Sequence, residues 1–193
     1  LAQIGEIMSF IGQPVSLHPQ RHRSTIEFLF AAVGAIIELE KPIKHVMAVR
    51  RPSELSPMIQ PMITTPAHSA FPSGHTMEAF AMAEVLSTIV RRNDEALHGA
   101  TGPTSSHRSY RGQMMEHAAR VATNRVVAGV HYPVDSMSGA LLGITLGKWL
   151  MAKARPLAAG DRKLRGQRFA SDFATNDNDP LKPIVGAPAR DFL

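Results

Sequence analysis

The stretch 124–135, NRVVAGVHYPVD, decides how the chain is read. Gly129 stops one helix, and Pro133, with its fixed φ and missing N–H, opens the next at its first position. His131 is left in the short connection, and Asp135 stands about one turn into the second helix, four residues on. A carboxylate at that separation can bond one ring nitrogen, fix the tautomer and leave the other nitrogen free as a nucleophile. The blander alternative is that Asp135 only favours its helix N-terminus and His131 is an ordinary loop histidine.

Upstream, the spacing predicts a helix over about 107–127. Met114, Ala118 and Val121 form an apolar stripe, and Arg125 continues it. An arginine on a core-facing stripe needs an anion or an internal carboxylate, because an unpaired buried charge is very costly. Glu78 and Glu84 are the candidate internal partners. Downstream, a helix runs from Pro133 to about Lys153. In it Asp135, Gly139, Gly143 and Gly147 recur every four residues, a stripe that allows close packing of a neighbour.

Further outward, FPSGHT (71–76) joins a proline-rich loop over 53–72 to a helix predicted over 73–92. Ser24 to Glu27 has capping-box spacing and predicts a helix over 25–40. Pro42 is read as opening a shorter second helix, and Pro52 as ending that helix or forcing Arg51 towards an extended backbone. Another loop is expected over 93–106. No strand pattern and no internal repeat emerges, so the fold class is all-α: a helical bundle of about five core helices with an irregular C-terminal tail. The division is an N-terminal segment 1–24, a helical catalytic domain 25–155 and the tail 156–193.

With 44% hydrophobic and 19% charged residues, the chain of 193 residues can bury a core rather than remain disordered. It has no cysteine, which excludes disulfides and thiolate metal sites and leaves the redox compartment unread. The net charge of +5 favours an anionic partner. The apolar runs 28–37 and 137–147 are too short to span a membrane, so the chain reads as soluble. It begins at Leu1 without methionine, which is compatible with a removed signal peptide or N-terminal region, and the compartment stays open.

Lys44 and Arg51 stand seven residues apart, about two helical turns, where both can face one side. Taken alone they are a solvated basic face. At FPSGHT, Ser73 can cap the helix and bond an anion, and Gly74 lets backbone approach a ligand. The free N–H groups there favour phosphate, and His75 can give or take a proton. Together these residues suit a tetrahedral oxyanion without a metal, and nothing suggests nucleic-acid reading. The remaining histidines show no zinc spacing, and 176–179 lacks the pattern of a calcium loop.

Three blocks in order, Lys44-x6-Arg51-Pro52, Pro72-Ser73-Gly74-His75 and Arg125-x5-His131-x3-Asp135, resemble the type 2 phosphatidic acid phosphatase and vanadium haloperoxidase superfamily. Asn124 departs from its pattern, standing where serine usually precedes the arginine. The resemblance covers about 25–152 and implies a bundle with the active site at one end. It implies His131 as nucleophile, forming a phosphohistidine, with Asp135 orienting it and His75 as acid and then base. Lys44, Arg51, Ser73, Gly74 and Arg125 would hold the non-bridging oxygens.

The function implied is a metal-independent phosphomonoesterase needing no cofactor, acting on a phosphate-ester small molecule or lipid head group. Its activity should peak on the acid to neutral side. Thr76 resembles the phosphatases, whereas Thr65-Pro66 resembles the haloperoxidase-like proteins. The alternative is a vanadium-dependent haloperoxidase using the same cage for vanadate, with His131 ligating vanadium. A third reading is a non-catalytic phosphate or acidic-lipid binding module. The natural substrate and the oligomeric state are not legible.

Overall fold

The computed structural model describes residues 2–98 and 104–154. Six helices follow one another: α1 (Ala2–Ile11), α2 (Arg23–Met47), α3 (Pro52–Leu55), α4 (Gly74–His98), α5 (Thr104–Val127) and α6 (Pro133–Lys153). A 3-10 turn lies at Gln13–Val15, and the described residues contain no strand. The all-α bundle expected from the sequence is therefore the fold observed. The predicted tail over 156–193 lies outside the described residues, as do 99–103 of the loop expected over 93–106. The rest of that expected loop is helical instead, in α4 as far as His98 and in α5 from Thr104.

Helix α4 is the centre. From Thr76 to Val90 almost every residue is buried, on all sides of the helix, which is the pattern of a helix surrounded by others. Its run of Ala, Met, Leu and Val has high helix propensity and little bulk. Met82, Val85, Leu86 and Ile89 meet Ile7, Met8 and Ile11 of α1, Leu29 and Val33 of α2, and Met114 and Ala118 of α5 in one core. Full burial of each such larger side chain is worth about 1.5–3 kcal/mol. The residues before 24 thus contribute to this core. His117 of α5 also stacks on Phe10 of α1, with ring centroids 4.3 Å apart, and donates through Nδ1 to the Phe10 carbonyl at 2.7 Å.

Two local expectations are corrected. The Ser24–Glu27 capping box does not form: the helix starts at Arg23 after His22, and Glu27 pairs with Arg23 at 2.9 Å. Nor does Pro42 open a new helix, because it lies inside α2, which continues to Met47. Pro42 can donate no backbone bond. However, Leu29, Val33, Ile36, Glu40 and Lys44 form one buried face that runs across it, and that packing holds the helix together. The helix ends where Ala48 turns left-handed, at φ 46°, with its N–H on the Lys44 carbonyl at 3.0 Å. Five helices of ten residues or more are therefore described, but α1 replaces the second proline-opened helix of the sequence reading.

The glycine stripe of α6 packs against α4. A Cβ at Gly139 would stand 2.6 Å from the Ser73 carbonyl oxygen, and one at Gly147 would stand 2.9 Å from the Glu84 Cβ. At Gly143 it would collide with the Met77 carbonyl. Backbone cannot retreat as a flexible side chain can. Gly143→Ala should therefore cost about 1–3 kcal/mol through overpacking, lowering Tm by roughly 3–10 °C. A thermal melt checks this, and an unchanged Tm would contradict the close approach of the two helices.

Candidate active site

The site lies at the end of the bundle where α2 and α5 finish and α4 and α6 begin. Backbone bonds join these ends: the Ser73 N–H donates to the Asp135 carbonyl at 3.0 Å, and the Ala70 N–H to the Val49 carbonyl at 2.9 Å. The Met62 N–H donates to the Ala128 carbonyl at 3.0 Å, tying the long loop to the α5–α6 connection. Two helix N-termini, with their positive dipole ends, thus face one region.

His131 and Asp135 meet as the spacing suggests. The Nδ1 of His131 lies 3.2 Å from Oδ2 of Asp135, and that same oxygen accepts the Tyr132 N–H at 2.9 Å. Asp135 therefore both caps α6 and orients the imidazole, so the two sequence readings are compatible. With Nδ1–H on the carboxylate, Nε2 carries the lone pair, 3.4 Å from Nη1 of Arg51. His131 is 4% exposed and Asp135 fully buried, so both are screened from bulk water.

Arg51 does not share a helical face with Lys44, as the seven-residue spacing had suggested. The left-handed Ala48 ends α2 first, and Pro52 disfavours helical backbone before it, leaving Arg51 extended at the N-cap of α3. From there its side chain, 1% exposed, donates to the carbonyls of Val130 at 2.8 Å, Pro66 at 3.1 Å and His68 at 3.2 Å. Lys44, in the last turn of α2, donates to the Pro72 carbonyl at 2.5 Å and the Ser69 carbonyl at 3.2 Å. Both cations fasten the loop that delivers α4.

At the start of α4 the Phe71–Pro72 peptide is cis, and the buried Ser73 hydroxyl lies 2.9 Å from that of Thr76. Ser73 precedes the helix, and its carbonyl accepts the Met77 N–H at 3.0 Å. Arg125, in the last turn of α5, has its Nε buried without a hydrogen-bond partner. Of its candidate carboxylates, Glu84 pairs instead with Arg111 at 2.8 Å, whereas Glu78 is close enough for its charge to act on Arg125.

Burial and crowded positive charge set the electrostatics. His75 is pushed down to about 4, first by burial and then by Arg125, His131 and Lys44. His131 is also lowered by burial, partly offset by its bond to Asp135. Burial lowers Lys44 and Arg125 as well, and Arg51 pushes Arg125 further the same way. Both catalytic-candidate histidines are thus neutral around neutral pH, and an arriving anion would relieve the cations.

Three neighbours escaped the sequence reading of the site. His68 lies 3.3 Å from Nη2 of Arg51. Glu40 is buried one turn before Lys44, with its carboxyl packed directly against Gly74. Glu78, considered only as a partner for Arg125, is buried too and pushed up to about 7, first by burial and then by Glu40. The i,i+4 relation of Glu40 to Lys44 was a usable signal, hidden by the helix break assumed at Pro42. Beside the cage lies a cavity of about 720 Å³ whose walls include Ile37, Glu40, Lys41, Lys44 and His68.

Among the described residues, no group of three or more His, Cys, Asp or Glu could hold a metal cation, and no helix is long and apolar enough to cross a membrane. The donors instead fit a tetrahedral oxyanion: cationic groups, a serine hydroxyl and a helix N-terminus, with the orphaned Arg125 Nε beside them.

Residues 25–157 match the PAP2 superfamily. A vanadium-dependent bromoperoxidase of Ascophyllum nodosum is 27% identical over 124 residues, covering 56% of this chain but only 22% of that protein. The chain thus spans about a fifth of that relative's length. Among solved structures, a transmembrane PAP2-type phosphatidylglycerolphosphate phosphatase from Bacillus subtilis superposes with a TM-score of 0.55 at 19% identity. The match covers 81% of this chain and 71% of that one, a likeness of fold.

Proposed function

Because the chain belongs to the PAP2 superfamily, we propose that it is a phosphatase that hydrolyses phosphomonoesters through a phosphohistidine, without a metal. Superfamily membership itself supports phosphatase or haloperoxidase-type activity. The observation that carries the finer reading is the Asp135–His131–Arg51 line. One imidazole nitrogen is bound by a buried carboxylate at 3.2 Å, and the other, carrying the lone pair, faces the cationic side of the cage.

In the proposed reaction the substrate phosphoryl group enters between Arg51, Arg125, Lys44, the Ser73 hydroxyl and the Gly74 N–H. It displaces the weak Arg51 contact to Nε2. His131 Nε2 then attacks phosphorus, forming the N–P bond as the P–O bond to the leaving group breaks. His75 gives its proton to the departing alkoxide. In the second half His75 takes a proton from water, the hydroxide attacks phosphorus, and phosphate leaves with His131 restored. The cations and N–H groups stabilise the charge that builds on the equatorial oxygens.

Since His75 is held down to about 4 in the empty site, its proton has to arrive with the substrate. The dianionic phosphoryl group raises the affinity of His75 for it. The cavity beside Lys44 and His68 would receive the leaving group, a small alcohol or a lipid-derived one.

The bromoperoxidase likeness favours one second reading. The same donors fit vanadate, with His131 Nε2 as its protein ligand and Arg51, Arg125, Lys44, Ser73 and Gly74 around its oxygens. Bound there, vanadate would supply activation of peroxide for halide oxidation.

The two readings separate in one comparison. The purified protein should release phosphate from an aryl phosphate in the presence of a chelator. Absence of turnover with phosphoesters, together with bromide oxidation after addition of vanadate and peroxide, would overturn the phosphatase reading.

A further inference from the structure

The described residues place two carboxyls where an anion cage should least tolerate them. Glu40 projects from α2 against Gly74, so closely that a Cβ on Gly74 would stand 2.7 Å from its Oε1. Gly74 is the first residue of α4 and offers one of the N–H groups proposed to face the phosphoryl oxygens. Glu78 lies one turn further along the same helix, and the charge of Glu40 acts on it. Glu40 is 8% exposed and Glu78 6%, and each has a buried Oε2 with no hydrogen-bond partner. A buried, unpartnered carboxylate oxygen costs free energy that the fold could have avoided with an apolar side chain. Neither residue belongs to the three sequence blocks, and the proposed reaction uses neither.

We infer that Glu40 and Glu78 form a paired-carboxyl wall of the cage, and that binding of a doubly charged tetrahedral oxyanion draws one solvent proton onto the pair. This rests on the reading of the cage as an oxyanion site. As two carboxylates the pair would oppose a dianion at Gly74. Once it has gained a proton it is less negative and presents an O–H donor among acceptor oxygens.

The surroundings fit such a role. Lys41 and Lys44 of α2 face Glu40, and Arg125 of α5 and Lys44 face Glu78, each favouring the ionised form. His75 stands three residues before Glu78 on α4, and the charges of Asp135 of α6, Arg51 and His68 interact with that of Lys44. Against these cations, burial still raises both carboxyls, Glu78 to about 7. An anion that takes up the cations' field removes what keeps the pair ionised. Glu40 and Glu78 are thus positioning residues that tune the charge of the cage.

The test is calorimetric titration with tungstate, a tetrahedral oxyanion that stays doubly charged across the neutral range. It is run at several pH values and in buffers of different ionisation heat. The parent should take up protons on binding, one onto the pair beside the one drawn to His75. Its Kd should rise with pH above about pH 7, the pair contributing up to about tenfold per pH unit.

Glu78→Gln should take up about one proton fewer, match the parent near pH 6 and bind roughly tenfold tighter near pH 8. Glu40→Gln serves as a second variant if Glu78→Gln does not fold. A folded variant with unchanged proton uptake, or with affinity reduced equally at every pH, overturns the inference and leaves the cage standing. So does binding by the parent without proton uptake. If the parent binds no tungstate at any pH, the oxyanion cage itself falls, and the phosphatase reading with it.

Discussion

His131→Ala should lower aryl-phosphate turnover by at least about 10³-fold, because it removes the nucleophile of the proposed reaction. The variant should stay folded and keep its affinity for a tetrahedral anion within about tenfold, since the cations and N–H groups remain. Asp135→Asn should lose less, on the order of 10²-fold, because it disturbs the tautomer while preserving the nucleophile. Steady-state kinetics together with anion titration checks the ordering. Turnover by His131→Ala within tenfold of the parent would remove His131 from the chemistry.

Arg51→Ala should damage both stability and activity. Its guanidinium joins the loop at Pro66 and His68 to the α5–α6 connection at Val130, with Nη1 also reaching His131. Removing it leaves several buried carbonyls without donors, a loss of about 3–5 kcal/mol. A melt should show Tm lower by roughly 10 °C, and activity should fall by about 10²- to 10³-fold through the lost oxyanion contact. Arg51→Lys should rescue little, because an ammonium cannot reproduce the planar fork that meets the carbonyls of Pro66, His68, Ser69 and Val130 at once. A lysine variant within twofold of the parent in rate and melting alike would show that Arg51 is only a nearby charge.

The parts of the fold legible in the sequence were those written in local chemistry. Gly129, Pro133 and Asp135 signal the α5–α6 connection through backbone conformation and capping, and the structure places each as read. Pro42 shows where local signals fail. A proline usually marks a helix boundary, yet the stripe from Leu29 to Lys44 carries α2 through it, and tertiary packing prevails over the missing donor. A break at Pro42 also conceals Glu40, since only an unbroken helix sets it on the same face as Lys44. His68 was illegible for another reason: it comes to Arg51 because a long loop doubles back, held by bonds such as Ala70 N–H to Val49 carbonyl. No periodicity in sequence encodes that return. The residue pattern pairs Lys44 with Arg51 through the wrong geometry, because nothing in it announces the left-handed turn at Ala48.

The proposed covalent intermediate offers the most direct test of the phosphatase account. Rapid quench of the enzyme with an aryl phosphate, in chelator and under conditions that preserve phosphoramidates, should yield a peptide phosphorylated at His131. The same peptide from His131→Ala should carry no phosphate. Rapid phosphate release with no phosphorylated His131 at any quench time, or phosphate found on another residue, would contradict the account.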